Sequence, residues 1–124
     1  MEESERLEDE RKNLRLDAIG KDLLKCAEIS RDEGLLAMQN AIPGLSNGSK
    51  FLAFAVSYII NLFMKQTDFE SSFRMLENHI YSLPYTEQAE GHMIASVLKL
   101  IFAGEHAEII EEAVHEIIPL KQTM

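Results

Sequence analysis

Apolar residues recur along most of this chain at three- and four-residue intervals, the spacing of helices that bury one face. Leu16, Ile19, Leu23, Leu24 and Ala27 follow this rule and predict an amphipathic helix. Gly20 is its weak point, at about 1 kcal/mol relative to Ala. Residues 1–15 are dominated by charge, with Leu7 and Leu14 as the apolar exceptions, and read as a solvated helical lead-in that frays at its start. Ser30-Arg31-Asp32-Glu33 has the form of a capping box ahead of Leu35, Leu36 and Met38, so a second helix opens there or the first runs through. Either way the stretch is expected to stop at Ile42-Pro43-Gly44, because the residue before proline avoids the helical region and glycine favours a turn. Pro43 to Lys50, with Gly44, Asn47, Gly48 and Ser49, is the clearest loop.

Residues 50–65 are apolar on nearly every side, from Phe51, Leu52 and Phe54 through Ile59, Ile60, Phe63 and Met64. A helix of that kind belongs in the centre of a bundle. Thr67-Asp68-Phe69-Glu70 is a second capping box, and the helix it opens carries Phe69, Phe73, Leu76 and Ile80 in one stripe as far as Ser82-Leu83-Pro84-Tyr85. A helix from Thr86 to about Ala103 turns Met93, Ile94, Val97, Leu98 and Ile101 inward, with Gly104 as its C-cap. The last helix, 106–118, places Ile110, Ala113, Val114, Ile117 and Ile118 inside and Glu108, Glu111, Glu112 and His115 outside, and Pro119 closes it. No segment alternates in the manner of a strand.

The fold class expected is therefore all-α: a compact bundle of about five to six helices in antiparallel hairpins, with residues 16–119 as one domain, 1–15 as lead-in and 120–124 as a short tail. A weak repeat sits inside it. Ile59 to Met64 with the helix after it resembles Val97 to Phe102 with its own following helix, at an offset of about 38 residues and with turns at Gln66 and Gly104. Such a unit also builds short solenoids, which is the alternative arrangement.

Composition narrows the function more than the fold. The 124 residues suffice for a core without disulfides or metals. A formal net charge of −9 disfavours nucleic acid and anionic lipid as partners. Acid concentrates late in the chain, where Glu87, Glu90, Glu105, Glu108, Glu111, Glu112 and Glu116 face Lys99 alone, so a basic partner surface is one complement and a solvated face the plainer reading. The single cysteine, Cys26, has no internal partner and reads as a small buried apolar residue of a reducing compartment. No apolar segment opens the chain, and the run from Phe51 to Met64 is shorter than the ~20 residues of a bilayer span, so a cytoplasmic location without membrane insertion is expected.

Ala27 to Gln39, read as Ala-Glu-Ile-Ser-Arg-Asp-Glu-Gly-Leu-Leu-Ala-Met-Gln, resembles the cytosolic segment after the second membrane helix of MotA-type flagellar stator subunits, relatives of the TolQ and ExbB proton channels. Tyr58 to Leu62, Leu98 to Gly104 and Glu108 to Glu112 resemble later helices of the same region, so a loose likeness covers residues 22–118. The resemblance implies a domain that meets the rotor's switch protein through charged side chains. Its key arginine falls on Arg31, beside Glu33. The family's partner glutamate falls on Gln39, so the acidic half of that contact is missing. The proton path of a stator lies in membrane helices, which this sequence lacks, so the likeness implies a detached cytosolic domain or a stand-alone relative that conducts no ions.

Catalytic and metal chemistry find no footing in the residues. Glu112-Ala113-Val114-His115 has the E-x-x-H spacing of di-iron bundles, but such sites need two of these motifs and further inward carboxylates, and this one lies on a polar face. His79 and His106 suit ordinary positions near helix ends. No phosphate loop, cysteine pair, nucleophile elbow or zinc signature occurs. Asn47-Gly48-Ser49 is a formal glycosylation sequon without meaning in a cytoplasmic protein. The expected function is non-enzymatic protein binding without cofactors, through Arg31, Glu33, Gln39, Glu105, Glu108, Glu111 and Glu112, with the rotor switch protein as the partner the resemblance implies. A helical oligomerisation or adaptor module unconnected with motility, able to form a homo-oligomer, is the alternative.

Overall fold

The computed structural model describes residues 2–45 and 49–123, and these form six helices. They are α1 (Glu2–Glu33), α2 (Leu35–Leu45), α3 (Lys50–Met64), α4 (Phe69–Ile80), α5 (Tyr85–Phe102) and α6 (Ala107–Thr123). No strand occurs among the described residues, and the architecture is an all-α compact bundle.

The charged lead-in and the first amphipathic stretch are one helix. α1 passes through Gly20 and through Ser30 to Glu33, so the first capping-box pattern caps nothing. The break falls at Gly34, whose φ of 97° is open to glycine and strained for other residues. Its N–H donates to the Ser30 carbonyl at 3.0 Å, which ends α1, and its own carbonyl accepts from Met38 at 3.1 Å, which begins α2. A β-carbon at Gly34 would meet nothing within 4 Å, so the requirement is conformational and not one of space.

Three expected boundaries move. α2 does not stop at Ile42 but carries Pro43 inside its last turn. Proline's fixed φ suits a helix, and the bond it deletes is lost only two residues before the helix ends. The loop is accordingly shorter than Pro43 to Lys50, with Ser49 as the N-cap of α3 (Leu52 N–H to Ser49 Oγ, 3.2 Å), while Asn47 and Gly48 lie outside the described residues. The second capping box shifts by one: Asp68, not Thr67, is the cap, its carboxylate accepting from the Ser71 N–H at 2.9 Å. That bond holds the Asp68 carboxyl below its ordinary range. α6 runs through Pro119 to Thr123, and Ile117 and Ile118 lie outside the residues whose side chains are described.

The centre of the bundle is α5, not α3. α5 lies against α1, α3, α4 and α6, and buries Met93, Ile94, Ala95, Val97, Leu98 and Ile101. α3 packs on α2, α4 and α5, yet leaves Met64 exposed and Phe54 partly exposed. Gly91 sets the approach of α4 to α5: a β-carbon there would stand 3.1 Å from Leu83 Cδ1 and 3.2 Å from Ile80 Cγ2. α1 contributes Leu16, Ile19, Leu23 and Cys26 to the core and also packs on α6, so the first and last helices close on each other.

The sequence repeat has a backbone counterpart. α3 ends in a pair of bonds from Gln66 N–H to Phe63 O (2.9 Å) and Thr67 N–H to Leu62 O (2.9 Å). α5 ends in the equivalent pair, Gly104 to Ile101 (3.1 Å) and Glu105 to Leu100 (3.1 Å), the same helix-stopping motif at the same offset of about 38 residues. Gln66 and Gly104 both adopt positive φ, 66° and 77°, and α4 and α6 begin at equivalent positions, Phe69 and Ala107. The units differ where their surroundings differ. Phe73 of α4 is buried and meets Phe102 of α5 at 5.9 Å, whereas its counterpart on α6 is the exposed Glu111. α5 covers the open side of the first unit, and α1 covers that of the second.

The two turns give a paired prediction. Replacing Gln66, a side-chain-bearing residue in the left-handed region, by glycine is expected to raise stability by about 1 kcal/mol, and Gly104→Ala to lower it by about the same amount. Urea denaturation of both variants checks it; equal shifts of one sign would contradict the shared motif.

Candidate partner-binding surfaces

One residue in every three or four along the second half of α1 faces α6, and this stripe carries Lys21, Leu24, Lys25, Glu28 and Arg31. Opposite stand Glu105, in the turn before α6, and Ala107, Ile110 and Glu111. Together they line a groove of about 310 Å³ with an apolar floor and charged walls. Its charges are held loosely. Lys25 Nζ lies 3.7 Å from Glu28, Lys21 Nζ 3.4 Å from Asp17, and Arg31 Nε donates to Asp32 Oδ1 at 3.3 Å, all exposed pairs of the sort that contribute at most about 1 kcal/mol. An incoming partner therefore displaces little when it claims these groups.

Of the residues expected to bind a partner, the structure brings Arg31, Glu105 and Glu111 to this one groove. Glu33 is exposed at the last position of α1, and Glu108 and Glu112 are exposed along α6, outside the groove's lining. Gln39 is engaged elsewhere: on α2 it donates from Nε2 to Ser57 Oγ of α3 at 3.1 Å in a partly buried bond, which ties two helices together. His115 is exposed, and among the described residues no three His, Cys, Asp or Glu side chains gather as metal ligands. Nor is any described helix long and apolar enough to cross a membrane.

Glu90 departs from the acidic surface to which its neighbours in sequence assign it. Its side chain is 10% exposed, and both carboxylate oxygens accept from Arg15, at 2.8 Å from Nε and 3.0 Å from Nη2. A buried carboxylate needs such a fork, since its desolvation is offset only by well-aligned donors. This ion pair joins α1 to the first turns of α5 and forms part of a second cleft, of about 480 Å³. Lys50, Phe51 and Phe54 of α3, His79 of α4, Ser82, Leu83 and Glu87 complete its lining. Phe54 stacks on Tyr58 (5.3 Å between centroids), and His79 meets both rings edge-on at 5.2 and 4.8 Å. None of Arg15, Lys50, Phe54 or His79 stands out as a site residue in the sequence. Phe54 passes for core because its helix is apolar throughout, and a Glu90–Arg15 contact across 75 positions has no local signature.

Cys26 is fully buried, and that burial, with Asp22 adding to it, pushes its thiol up to about 12. A nucleophilic thiol needs the opposite environment, cationic and open to solvent. Comparison with protein-family models, with curated proteins and with solved structures yields no match for this chain.

Two measurements test these sites. Arg15→Met strands the Glu90 carboxylate and is expected to lower stability by about 1–3 kcal/mol, a range discounted because the guanidinium is partly exposed. The double variant Arg15→Met/Glu90→Met should recover most of the loss in urea denaturation; a neutral single variant would show the pair to be ornamental. Second, the folded state holds the Cys26 proton more tightly than the ordinary thiol pKa of 9.0 allows, so stability from this group is intact below pH 9.0 and is lost as pH rises from there through about 12. Cys26→Ala should flatten the fall of stability with pH over that window, and an unchanged slope would contradict the assigned environment.

Proposed function

We propose that this chain is a non-enzymatic protein-binding domain, and that the groove between α1 and α6 is its contact surface. The observation that carries the reading is the meeting of Arg31 with Glu105 and Glu111 over an apolar floor of Leu24, Ala27, Ala107 and Ile110. Residues from two ends of the sequence converge there, and the bundle's own ion pairs leave them exposed. A floor of small and branched apolar side chains accepts an apolar anchor, and walls of both signs set its register and suppress wrong partners. Arginine suits the recognition role, since its planar fork binds a carboxylate through two donors.

The resemblance to the cytosolic region of MotA-type stators supplies the proposed partner, the rotor's switch protein, and places the domain in the cytoplasm. Arg31 is the residue on which the likeness and the groove agree. Gln39 is the residue on which they part: the family's glutamate position is here taken up by the bond to Ser57. In this reading Glu105 and Glu111, supplied from the α6 side, stand in for the missing acid.

Titration calorimetry of the full chain against the switch protein tests both halves. Saturable binding is expected, weakened about tenfold or more by Arg31→Ala and by Glu105→Lys/Glu111→Lys, the loss of about 1.4 kcal/mol or more that an interfacial charge pair supplies. Binding unaffected by these changes would sink the groove. No binding by a folded chain would sink the partner.

A further inference from the structure

α1 is longer than the bundle requires. Its core residues begin at Leu16, and before that Leu7, Glu10, Arg11 and Leu14 are all exposed. Leu7 and Leu14 are 49% and 71% exposed, and their spacing of two helical turns puts them on one side of the helix. A helix that is polar almost all round, with two leucines in line, gains little from the fold beneath it.

The charge along this arm is segregated. Glu2, Glu3, Glu5, Glu8, Asp9 and Glu10 against Arg6 make its first part acidic, while Arg11, Lys12 and Arg15 make the next turn basic. We infer that the arm binds the arm of a second copy of this chain, antiparallel, with Leu7 of each packed on Leu14 of the other. In that register the exposed Glu10 lies opposite the second copy's exposed Arg11. Arg15 of each copy is already paired with Glu90 of its own chain. A parallel pair sets acid on acid and base on base along the whole arm, so charge selects the antiparallel arrangement. The interface is small, and its four leucines must offset the loss of free tumbling, so the dimer is weak, with a dissociation constant on the order of 100 μM. It uses the first half of α1 and leaves the groove at Arg31 open, so it stands or falls separately from the switch-protein reading.

Sedimentation equilibrium of the full chain over a concentration series decides whether a dimer forms. The expected result is a monomer–dimer equilibrium that Leu14→Glu shifts at least tenfold toward monomer, and that Arg11→Glu shifts in the same direction. Both positions are exposed, and unchanged far-UV circular dichroism will verify that the variants fold. The register is read by cysteine cross-linking, for which the buried Cys26 gives a silent background. Mixed Leu7→Cys and Leu14→Cys chains should form a disulfide heterodimer on mild oxidation, in preference to either homodimer. A monomer at every concentration, a dimer indifferent to Leu14→Glu, or preferential linkage of two Leu7→Cys chains to each other would each overturn the inference.

Discussion

Helix α5 presents apolar side chains to several neighbours, and the bundle takes most of them out of water, leaving Tyr85 and Ala89 exposed on its outer side. Ile94, Val97 and Leu98 have no exposed surface, and Met93, Ala95 and Ile101 have almost none. Sides that diverge in this way cannot be covered by one neighbour, so α1, α3, α4 and α6 surround it. At roughly 25 cal/mol for each Å² of apolar surface buried, this enclosure is the dominant favourable term available to so small a chain. Enclosing α5 also forces Glu90, on the same helix, out of solvent. The Arg15 fork answers that, and in doing so fixes where α1 crosses the first turns of α5. Gly91, next along, lets the end of α4 approach as closely as it does.

Around that helix the second half of the chain is built twice. Each unit is a strongly apolar helix, a turn closed by the same pair of backbone bonds, and a more polar helix. The copies diverge in what lies over them. Phe73 is buried where α5 packs on α4, whereas Glu111, its counterpart on α6, is exposed in the groove beside α1. α1, arriving from the other end of the sequence, takes the covering role for α6 only in part, and the incompleteness of that cover is the groove. The same division applies to α1 itself, which supplies core residues from Leu16 onward and before it shows only exposed side chains among those described.

The two clefts differ in how much of their chemistry is already committed. At the aromatic cleft Arg15 and Glu90 satisfy each other, and Phe54, Tyr58 and His79 pack together, so most of its strong groups serve the fold. In the α1–α6 groove the cations are held only by exposed neighbours one to four positions away, in pairs that exchange readily with solvent and with other charges. That contrast, more than volume, is the ground for proposing the groove, and not the aromatic cleft, as the contact surface. Arg31 could be singled out from the sequence because a family likeness pointed to it. Its companions could not be told apart from any other glutamate of an acidic helix, since adjacency across α1 and α6 is invisible in a one-dimensional charge count.

Local rules determined what is local. The helical period, the stop at Gly104, the inward stripe of α5 and the polar face of α6 all follow from residues within a few positions of one another, because hydrogen bonds and side-chain neighbours in a helix span three or four residues. The same rules left one feature open and misplaced another: of the two courses open at Ser30 to Glu33 the helix runs through, because Gly34 offers the better stop, and Pro43 and Pro119 were absorbed near helix ends, where the bond they delete matters least. What tertiary structure alone decided is which helix lies innermost, which partner Glu90 finds, why Gln39 is bonded to Ser57, and that Arg31 shares a groove with Glu105 and Glu111. Each of these depends on surfaces far apart in sequence being buried against each other, a quantity set by the whole core and not by any stretch of it.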